Sequence, residues 1–155
     1  MRECRCAEYK LQRYMARVSG PLLNRIDIHI EVPALRYREL ASRELAESSE
    51  RIRCRVVAAR EKQSMRLAGR TGLYSNASMQ SRDIREFCRV DGAGEELLKM
   101  AITKLGLSAR AYDRILKVAR TIADLAGTEG ILPEYVAEAI QYRSLDRGLI
   151  PHGGV

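Results

Sequence analysis

The feature that most constrains the fold of this chain is the periodic stretch of residues 107–125, which reads LSARAYDRILKVARTIADL. On a helical wheel its apolar side chains fill one half and its charged side chains fill the other, and this pattern predicts an amphipathic helix packed against a core. Ser108 can cap the N-terminus, because its hydroxyl accepts a bond from an N–H of the first turn. Gly127 can adopt the left-handed conformation that ends a helix. The stretch therefore predicts a domain built by helix packing.

The composition agrees with helix packing and indicates which partners suit the chain. Hydrophobic residues make up 46% of the chain, which is enough for a core, whereas aromatic residues make up 5% and tryptophan is absent. The 27 basic and 20 acidic residues give a net charge of +7, which suits a polyanion such as DNA or the phosphates of a nucleotide. The sequence contains no long apolar run and no signal peptide, so we expect a cytoplasmic protein with no membrane partner.

Residues 27–32 carry the one strand pattern in the sequence, with Ile28, Ile30 and Val32 alternating with polar residues and Pro33 ending the run. A single strand cannot form a sheet, so we expect its partner strands to lie outside this chain and the sequence to be truncated at its N-terminus. His29 falls on the polar side of the alternation, and we expect it to face solvent.

A second long helix is predicted at residues 48–67, with Ser48 as its N-cap. One side of this helix forms a basic stripe, which we define as Arg51, Arg55, Lys62 and Arg66. Such a stripe is commonly a solvated helix face, and contact with a DNA backbone or with nucleotide phosphates is the alternative. Both interpretations remain open from the residues alone.

Shorter helices are predicted at residues 9–18, 81–88, 94–105 and 133–145, with a loop at residues 69–78. Pro133 suits the first position of the last helix, because its missing N–H costs nothing there. From Ser48 onward the chain is therefore expected to form a small helical bundle with short connections.

The four cysteines divide into two pairs. Cys4 and Cys6 form a C-x-C near the N-terminus, which is either half of a four-ligand zinc site whose other half precedes Met1 or two ordinary thiols, because structural zinc needs four ligands. Cys54 and Cys88 are expected to be reduced thiols in the core.

Three segments together resemble one family. Residues 19–33, SGPLLNRIDIHIEVP, are similar to a box of the Mg-chelatase-like AAA+ ATPases in their ComM/YifB branch. The stretch of residues 107–125 followed by AEAIQYRSLDR resembles the lid signature of that family, and ECRC resembles the end of its cysteine cluster. Asn24 departs from the aspartate usual at that position. The family's G-x-x-x-x-G-K-[ST] phosphate loop is not in this sequence and is expected upstream.

The resemblance implies a mainly α fold, in which residues 48–155 form the helical lid (the Mg-chelatase C-terminal domain) and residues 1–47 form the end of a truncated α/β AAA+ core with one strand. It implies that Arg25 is the catalytic arginine finger, which reaches the γ-phosphate of ATP in a neighbouring subunit, and that Arg110 is the nucleotide-sensing arginine called sensor 2. Arginine suits both roles, because its planar fork pairs with phosphate oxygens and stays charged. Arg114 stays open. For Arg120 we expect a structural pairing with Asp124 at i,i+4.

The resemblance further implies that the full-length protein is a hexameric ring that uses ATP and Mg²⁺ to move DNA during branch migration, with Zn²⁺ as a further candidate at the cysteine cluster. We expect no cofactor and no ATP turnover in this fragment alone. One alternative is a helical DNA-binding or adaptor module that has no ATP role and uses the basic stripe. Another is the motor subunit of a true magnesium chelatase, which inserts Mg²⁺ into a tetrapyrrole.

Overall fold

The computed structural model describes residues 6–23, 25–30, 32 and 46–143. Within these ranges the chain is helical, with a short 3-10 turn at Asn76–Ser78. The helices are α1 Glu8–Met15, α2 Gly20–Leu23, α3 Ser49–Arg66, α4 Ser81–Phe87, α5 Gly92–Leu105, α6 Ala109–Ala126 and α7 Pro133–Gln141. The mainly α prediction is confirmed. None of the helices in the described ranges is both long and apolar enough to cross a membrane.

Helix α6 is the centre of the bundle and packs against α3, α4, α7 and the 3-10 turn. Its buried face combines large and small apolar residues, which lets neighbouring helices approach closely: Ala111, Ile115, Leu116, Ala119 and Ala123. The Ser108 hydroxyl accepts a bond from the N–H of Ala111 at 3.3 Å, and Gly127 ends the helix at φ +82°. Both caps predicted from the sequence are confirmed.

The core around α6 is contributed by every other element of the bundle, through Leu67, Met79, Ile84, Cys88, Leu98, Ile131 and Val136. Each large apolar side chain of this set stabilises the fold by roughly 1.5–3 kcal/mol relative to its exposed state. The predicted helices in this part are confirmed to within a few residues, and Pro133 occupies the start of α7 as expected.

Helix α3 begins at its predicted cap, where the Ser48 hydroxyl accepts a bond from the N–H of Arg51 at 3.4 Å. Its C-terminal half packs on the bundle through the buried Ala59 and Gln63. Its N-terminal half projects, because all residues from Ser49 to Ala58 are exposed. We therefore divide α3 into a free half, residues 49–58, and a packed half, residues 59–66. The division of the chain at residues 47 and 48 stays a prediction.

The strand predicted at residues 27–32 is wrong for residues 27–30 and 32, which form neither strand nor helix. No strand lies beside them among the described residues, where the one β-type contact is an isolated bridge between Val90 and Ile131. The backbone N–H of His29 instead donates to the carbonyl of Tyr142 at 2.8 Å. The expectation of a solvent-facing His29 is also wrong, because the residue is 7% exposed where the segment lies on the bundle.

Candidate functional site

The candidate site is the junction between α6 and the segment of residues 25–30. Arg114, in the second turn of α6, donates from Nη1 to the backbone carbonyl of Arg25 at 2.5 Å. The same nitrogen donates to the carboxylate of Asp27. A charge-assisted bond of this kind is stronger than a neutral one, and the pair is only partly exposed. Arg114 therefore fastens the first residues of the segment to the central helix.

Arg143, just after α7, is a second anchor for the same segment. Its side chain is 1% exposed, and its Nη1 donates to the carbonyl of Ile26. It follows the buried Val136 and Ala139 at helical spacing, so the periodicity of α7 places it on the inner face. Sequence reasoning missed this residue, although that periodicity carried the signal. The segment is thus bonded to the helical bundle at Arg25, Ile26, Asp27 and His29.

The two arginines assigned to nucleotide chemistry both lie beside Arg114. Arg25 is exposed, and its backbone N–H donates to the carbonyl of Leu22 at 2.9 Å, which closes a turn after α2. Arg110 is exposed in the first turn of α6, four residues before Arg114 and so on the same side of the helix. The sequence-predicted pair is therefore held on one packed unit with both guanidinium groups accessible to a ligand.

The basic stripe does not form one continuous surface. Arg51 and Arg55 lie on the free half of α3, where Arg55 pairs with Glu47 at 2.7 Å. Lys62 turns to the bundle and donates to the carbonyl of Gly127, and Arg66 pairs with the buried Asp124. Of the stripe, the cations that remain exposed are Arg51 and Arg55 on the free half of the helix, and Arg53 is a third exposed cation there that the stripe did not include.

Asp124 is the centre of a buried polar network. It accepts bonds from Arg66 at 2.9 Å, from Asn76 at 2.8 Å and from Arg120 at 3.2 Å. Burial raises the pKa of Asp124, but these hydrogen bonds and the positive charges of the two arginines outweigh burial, so the pKa lies below its usual value. Burial lowers the pKa of Arg120. The structural role expected for Arg120 is confirmed, and it also donates to the carbonyl of Thr128 at 3.0 Å.

An apolar groove of about 340 Å³ runs between segment 25–30 and the bundle. Its walls come from the segment, α6 and α7, chiefly Ile28, Ile30, Val118, Ile122 and Leu125. Among the described residues, the charged side chains that line it are Asp27, Lys117 and Glu138. The groove adjoins the Arg114 junction through Asp27.

The described cysteines differ in how far they are buried. Cys88 is buried in the core as expected, and burial raises the pKa of its thiol to about 12. Cys54 is exposed on the free half of α3, so the expectation of a core thiol is wrong there. Cys6 is exposed, and Cys4 lies outside the described residues. No group of three or more metal-ligating side chains occurs within the described ranges, and the zinc half-site stays a prediction.

Comparison with known families finds two adjoining matches. Residues 46–143 match the family model for magnesium chelatase, subunit ChlI C-terminal, and residues 1–40 match that for magnesium chelatase, subunit ChlI. Residues 41–45 lie between the two matches. The second includes Arg25, and the first includes Arg110 and Arg114.

Similar proteins occur in several bacteria. The chain is 42% identical over 144 residues to competence protein ComM of Haemophilus influenzae, covering 92% of this chain and 27% of that protein. It is 40% identical over 148 residues to the uncharacterized protein YifB of Escherichia coli, covering 94% of this chain and 28% of the relative. An uncharacterized protein of Mycobacterium tuberculosis is 34% identical over 141 residues, covering 91% of this chain and 28% of its own length. The chain thus spans about a quarter of the curated relatives that it matches.

Proposed function

The chain belongs to the magnesium chelatase subunit ChlI family, and from this membership we propose that it is the C-terminal part of a ring-forming AAA+ ATPase that couples ATP hydrolysis to DNA remodelling. Arg25 is the arginine finger in this proposal, and Arg110 is the sensor arginine of the lid. One relative is named a competence protein, and this name supports DNA as the substrate. The ring, cytoplasmic location and the requirement for ATP and Mg²⁺ are parts of the same proposal.

The observation that carries the proposal is the bond from Arg114 to the carbonyl of Arg25. A finger must be exposed so that it reaches a phosphate of the next subunit, and its backbone must be fixed so that it arrives in the right place. Arg25 meets both requirements, because its side chain is exposed while its carbonyl is bonded to a well-packed helix. The same helix presents Arg110 one turn earlier.

The residues present fit part of a nucleotide site. Two exposed guanidinium groups suit phosphate oxygens, because each presents a planar fork of donors that remains charged. Bound ATP supplies the γ-phosphoryl group that is transferred to water. Arg25 would donate to oxygens that gain negative charge during that transfer, and Arg110 would bind nucleotide oxygens and orient the lid. The 155 residues contain no G-x-x-x-x-G-K-[ST] motif, so the cradle for the β- and γ-phosphates must come from residues outside this sequence.

The test uses the full-length protein. Arg25→Ala should lower the rate of ATP hydrolysis by about 10³- to 10⁵-fold while ATP binding stays within about twofold, because a finger stabilises the transition state rather than the bound ground state. Arg25→Lys should restore little of the hydrolysis rate, since an ammonium group cannot reproduce the planar fork of a guanidinium group. Arg85→Ala, which removes another exposed arginine from α4, is the matched control and should leave the rate unchanged.

Mixing two inactive variants tests whether Arg25 acts across a subunit boundary. A phosphate-loop variant still carries an intact finger, and an Arg25→Ala subunit still carries an intact ATP site. Rings that contain both should recover part of the hydrolysis at the interfaces that combine the two intact parts. Mixed rings that form and yet remain inactive would refute the assignment of Arg25.

A second role, contact with DNA, is supported by the free half of α3. Arg51, Arg53 and Arg55 are all exposed there, on a helix that projects from the bundle. Neutralisation of phosphates by such cations gives binding that is independent of sequence and sensitive to salt. Arg51 and Arg55 share one side of this half of the helix, and Arg53 lies on the opposite side. We propose this exposed half of α3 as a DNA contact of the same ATPase, in place of the four-residue basic stripe.

A further inference from the structure

We propose that Arg114 is a positioning residue for Arg25, so that ATP hydrolysis in the neighbouring subunit depends on Arg114 only through the finger. This inference rests on the proposed function, since it gives Arg114 a role in that same site. Arg114 does not touch the nucleotide in this proposal. Its guanidinium holds the backbone from which the finger projects.

Residues 25–30 form neither helix nor strand, so their placement depends on bonds to other parts of the chain. The N–H of Arg25 donates to the carbonyl of Leu22 in the short helix α2. The bond from Arg25 to the bundle is made by Arg114, whose Nη1 donates to the carbonyl of Arg25. The anchors at the neighbouring Ile26 and at His29 come from residues just after α7. Arg114 is thus the link between the finger residue and the central helix.

The contact with Arg25 and Asp27 suits an arginine. The terminal nitrogen Nη1 carries two hydrogens, and it bonds the carbonyl of Arg25 and the carboxylate of Asp27 at once. The chain is therefore held at two points two residues apart. The negative charge of Asp27 also orients the guanidinium, and the ion pair is partly shielded from solvent, since the Arg114 side chain is 20% exposed.

The expected effect of losing Arg114 is on the placement of Arg25. Arg114 lies within α6, whose capping and apolar face do not depend on it, so its loss leaves the helix intact. Arg25 and Asp27 would lose their bonds to α6, and Arg25 would shift relative to its target. A displacement of about 1 Å from the productive geometry can cost about 100-fold in rate, even when the changed residue lies away from the chemistry.

The first experiment measures steady-state ATP hydrolysis by the full-length protein. Arg114→Ala should lower kcat by about 10- to 100-fold and leave KM for ATP within about twofold. Asp27→Asn, which keeps an acceptor oxygen and loses the charge, should give a smaller fall in kcat. An unchanged kcat in Arg114→Ala would overturn the proposal. So would a loss of kcat/KM that comes entirely from a higher KM, because such a loss would mean that Arg114 contributes to ATP binding.

The matched control is Lys117→Ala. This change removes one cation from the same helix, together with a bond of 3.0 Å to the carbonyl of Ala77, and touches none of the bonds to residues 25–29. It should retain wild-type kcat. A fall in kcat equal to that of Arg114→Ala would mean that any loss of charge from α6 has this effect, and would overturn the specific role of Arg114.

The second experiment combines Arg114→Ala with Arg25→Ala. If Arg114 acts only through the finger, the double variant should hydrolyse ATP as slowly as Arg25→Ala alone, because nothing remains to be positioned. A further fall by the full factor measured for Arg114→Ala alone would show an independent action and would overturn the proposal.

The third experiment mixes Arg114→Ala subunits with phosphate-loop variants. Hydrolysis should recover, because an Arg114→Ala subunit retains an intact ATP site and its neighbour supplies a well-placed finger. If Arg25→Ala recovers in this way and Arg114→Ala does not, Arg114 acts on its own subunit's nucleotide, and the positioning role fails while the proposed function stands. If both mixtures stay inactive in rings that form, the finger assignment fails and the positioning role with it.

Discussion

Asp124, whose side chain is fully buried, accepts a hydrogen bond of 2.9 Å from Arg66, a residue 58 positions earlier in the chain. Asn76 and Arg120 complete the shell around the carboxylate, at 2.8 and 3.2 Å. The pair connects α3 to α6, and it explains why Arg66 is not part of an exposed basic surface. A buried charge of this kind is tolerated because several donors surround it.

Replacing the buried aspartate should destabilise the fold strongly. Asp124→Asn removes the negative charge and leaves the buried Arg120 and the partly buried Arg66 without their counter-charge, which costs about 3–5 kcal/mol in comparable cases. Arg55→Ala breaks the exposed pair with Glu47 and should change the free energy of unfolding by less than about 1 kcal/mol. Urea unfolding of both variants and of the wild type measures the two differences. Equal effects for the two variants would contradict the role given to burial.

The same network predicts the acid dependence of stability. Asp124 has a pKa in the folded protein below its usual value, because the hydrogen bonds and charges of the arginines outweigh the opposite effect of burial. A lowered pKa adds stability above the unfolded-state pKa of about 3.9, and this stability is lost as pH falls below it. We expect the free energy of unfolding to decline from about pH 4 downward. In Asp124→Asn the free energy of unfolding, measured by urea titrations between pH 6 and 3, should decline less steeply with falling pH than in the wild type. The same decline in both proteins would exclude Asp124 as its source.

The free half of α3 should account for salt-dependent DNA binding by the full-length protein. Changing Arg51, Arg53 and Arg55 together to glutamate should weaken binding uniformly across sequences, because phosphate contacts carry no sequence information. The slope of log K against log salt should fall by about 0.9 for each phosphate contact that is lost. Fluorescence anisotropy at several salt concentrations measures this slope. The exposed Lys99→Glu variant on α5 is the control, and an effect of equal size there would indicate a general charge effect.

The cysteines should differ sharply in reactivity. The exposed Cys54 should react with iodoacetamide at pH 8, whereas the buried Cys88, with its pKa of about 12, should stay unmodified until the protein unfolds. Burial of Cys88 suppresses its thiolate and also adds a steric barrier to the reagent. Mass spectrometry of labelled peptides with and without denaturant measures both rates. Rapid labelling of Cys88 in the native protein would place it outside the core.

Much of the helical architecture could be predicted because it is encoded locally. The alternation of apolar and charged residues in α6, its Ser108 cap and its Gly127 terminus lie within twenty residues, and each acts on its near neighbours. Likewise, Ser48 and Pro133 mark the starts of α3 and α7. Such signals hold in the folded protein because they satisfy the backbone of the helix that carries them.

The alternating pattern at residues 27–32 predicted a strand that the described residues of this segment do not form. Alternation reports which residues share a side of an extended chain, but a strand exists only when a neighbour supplies the hydrogen bonds of a ladder. The described residues offer no such neighbour, and the N–H of His29 finds the carbonyl of Tyr142 instead. The burial of His29 follows from that contact rather than from its place in the alternation.

The sequence by itself determined where the helices lie, which of their faces are apolar and which family the residues resemble. The i,i+4 spacing also predicted the pairing of Arg120 with Asp124. Only the tertiary structure decided the use of three other arginines: Arg66 is bonded to Asp124, Arg114 holds Arg25, and Arg143 is buried against Ile26. All these residues carry the same charge, and periodicity places each of them on a helix face without naming its partner. The partner of Arg114 lies 89 positions away, so the folding of the whole chain, and not the local sequence, determines what holds the backbone of Arg25.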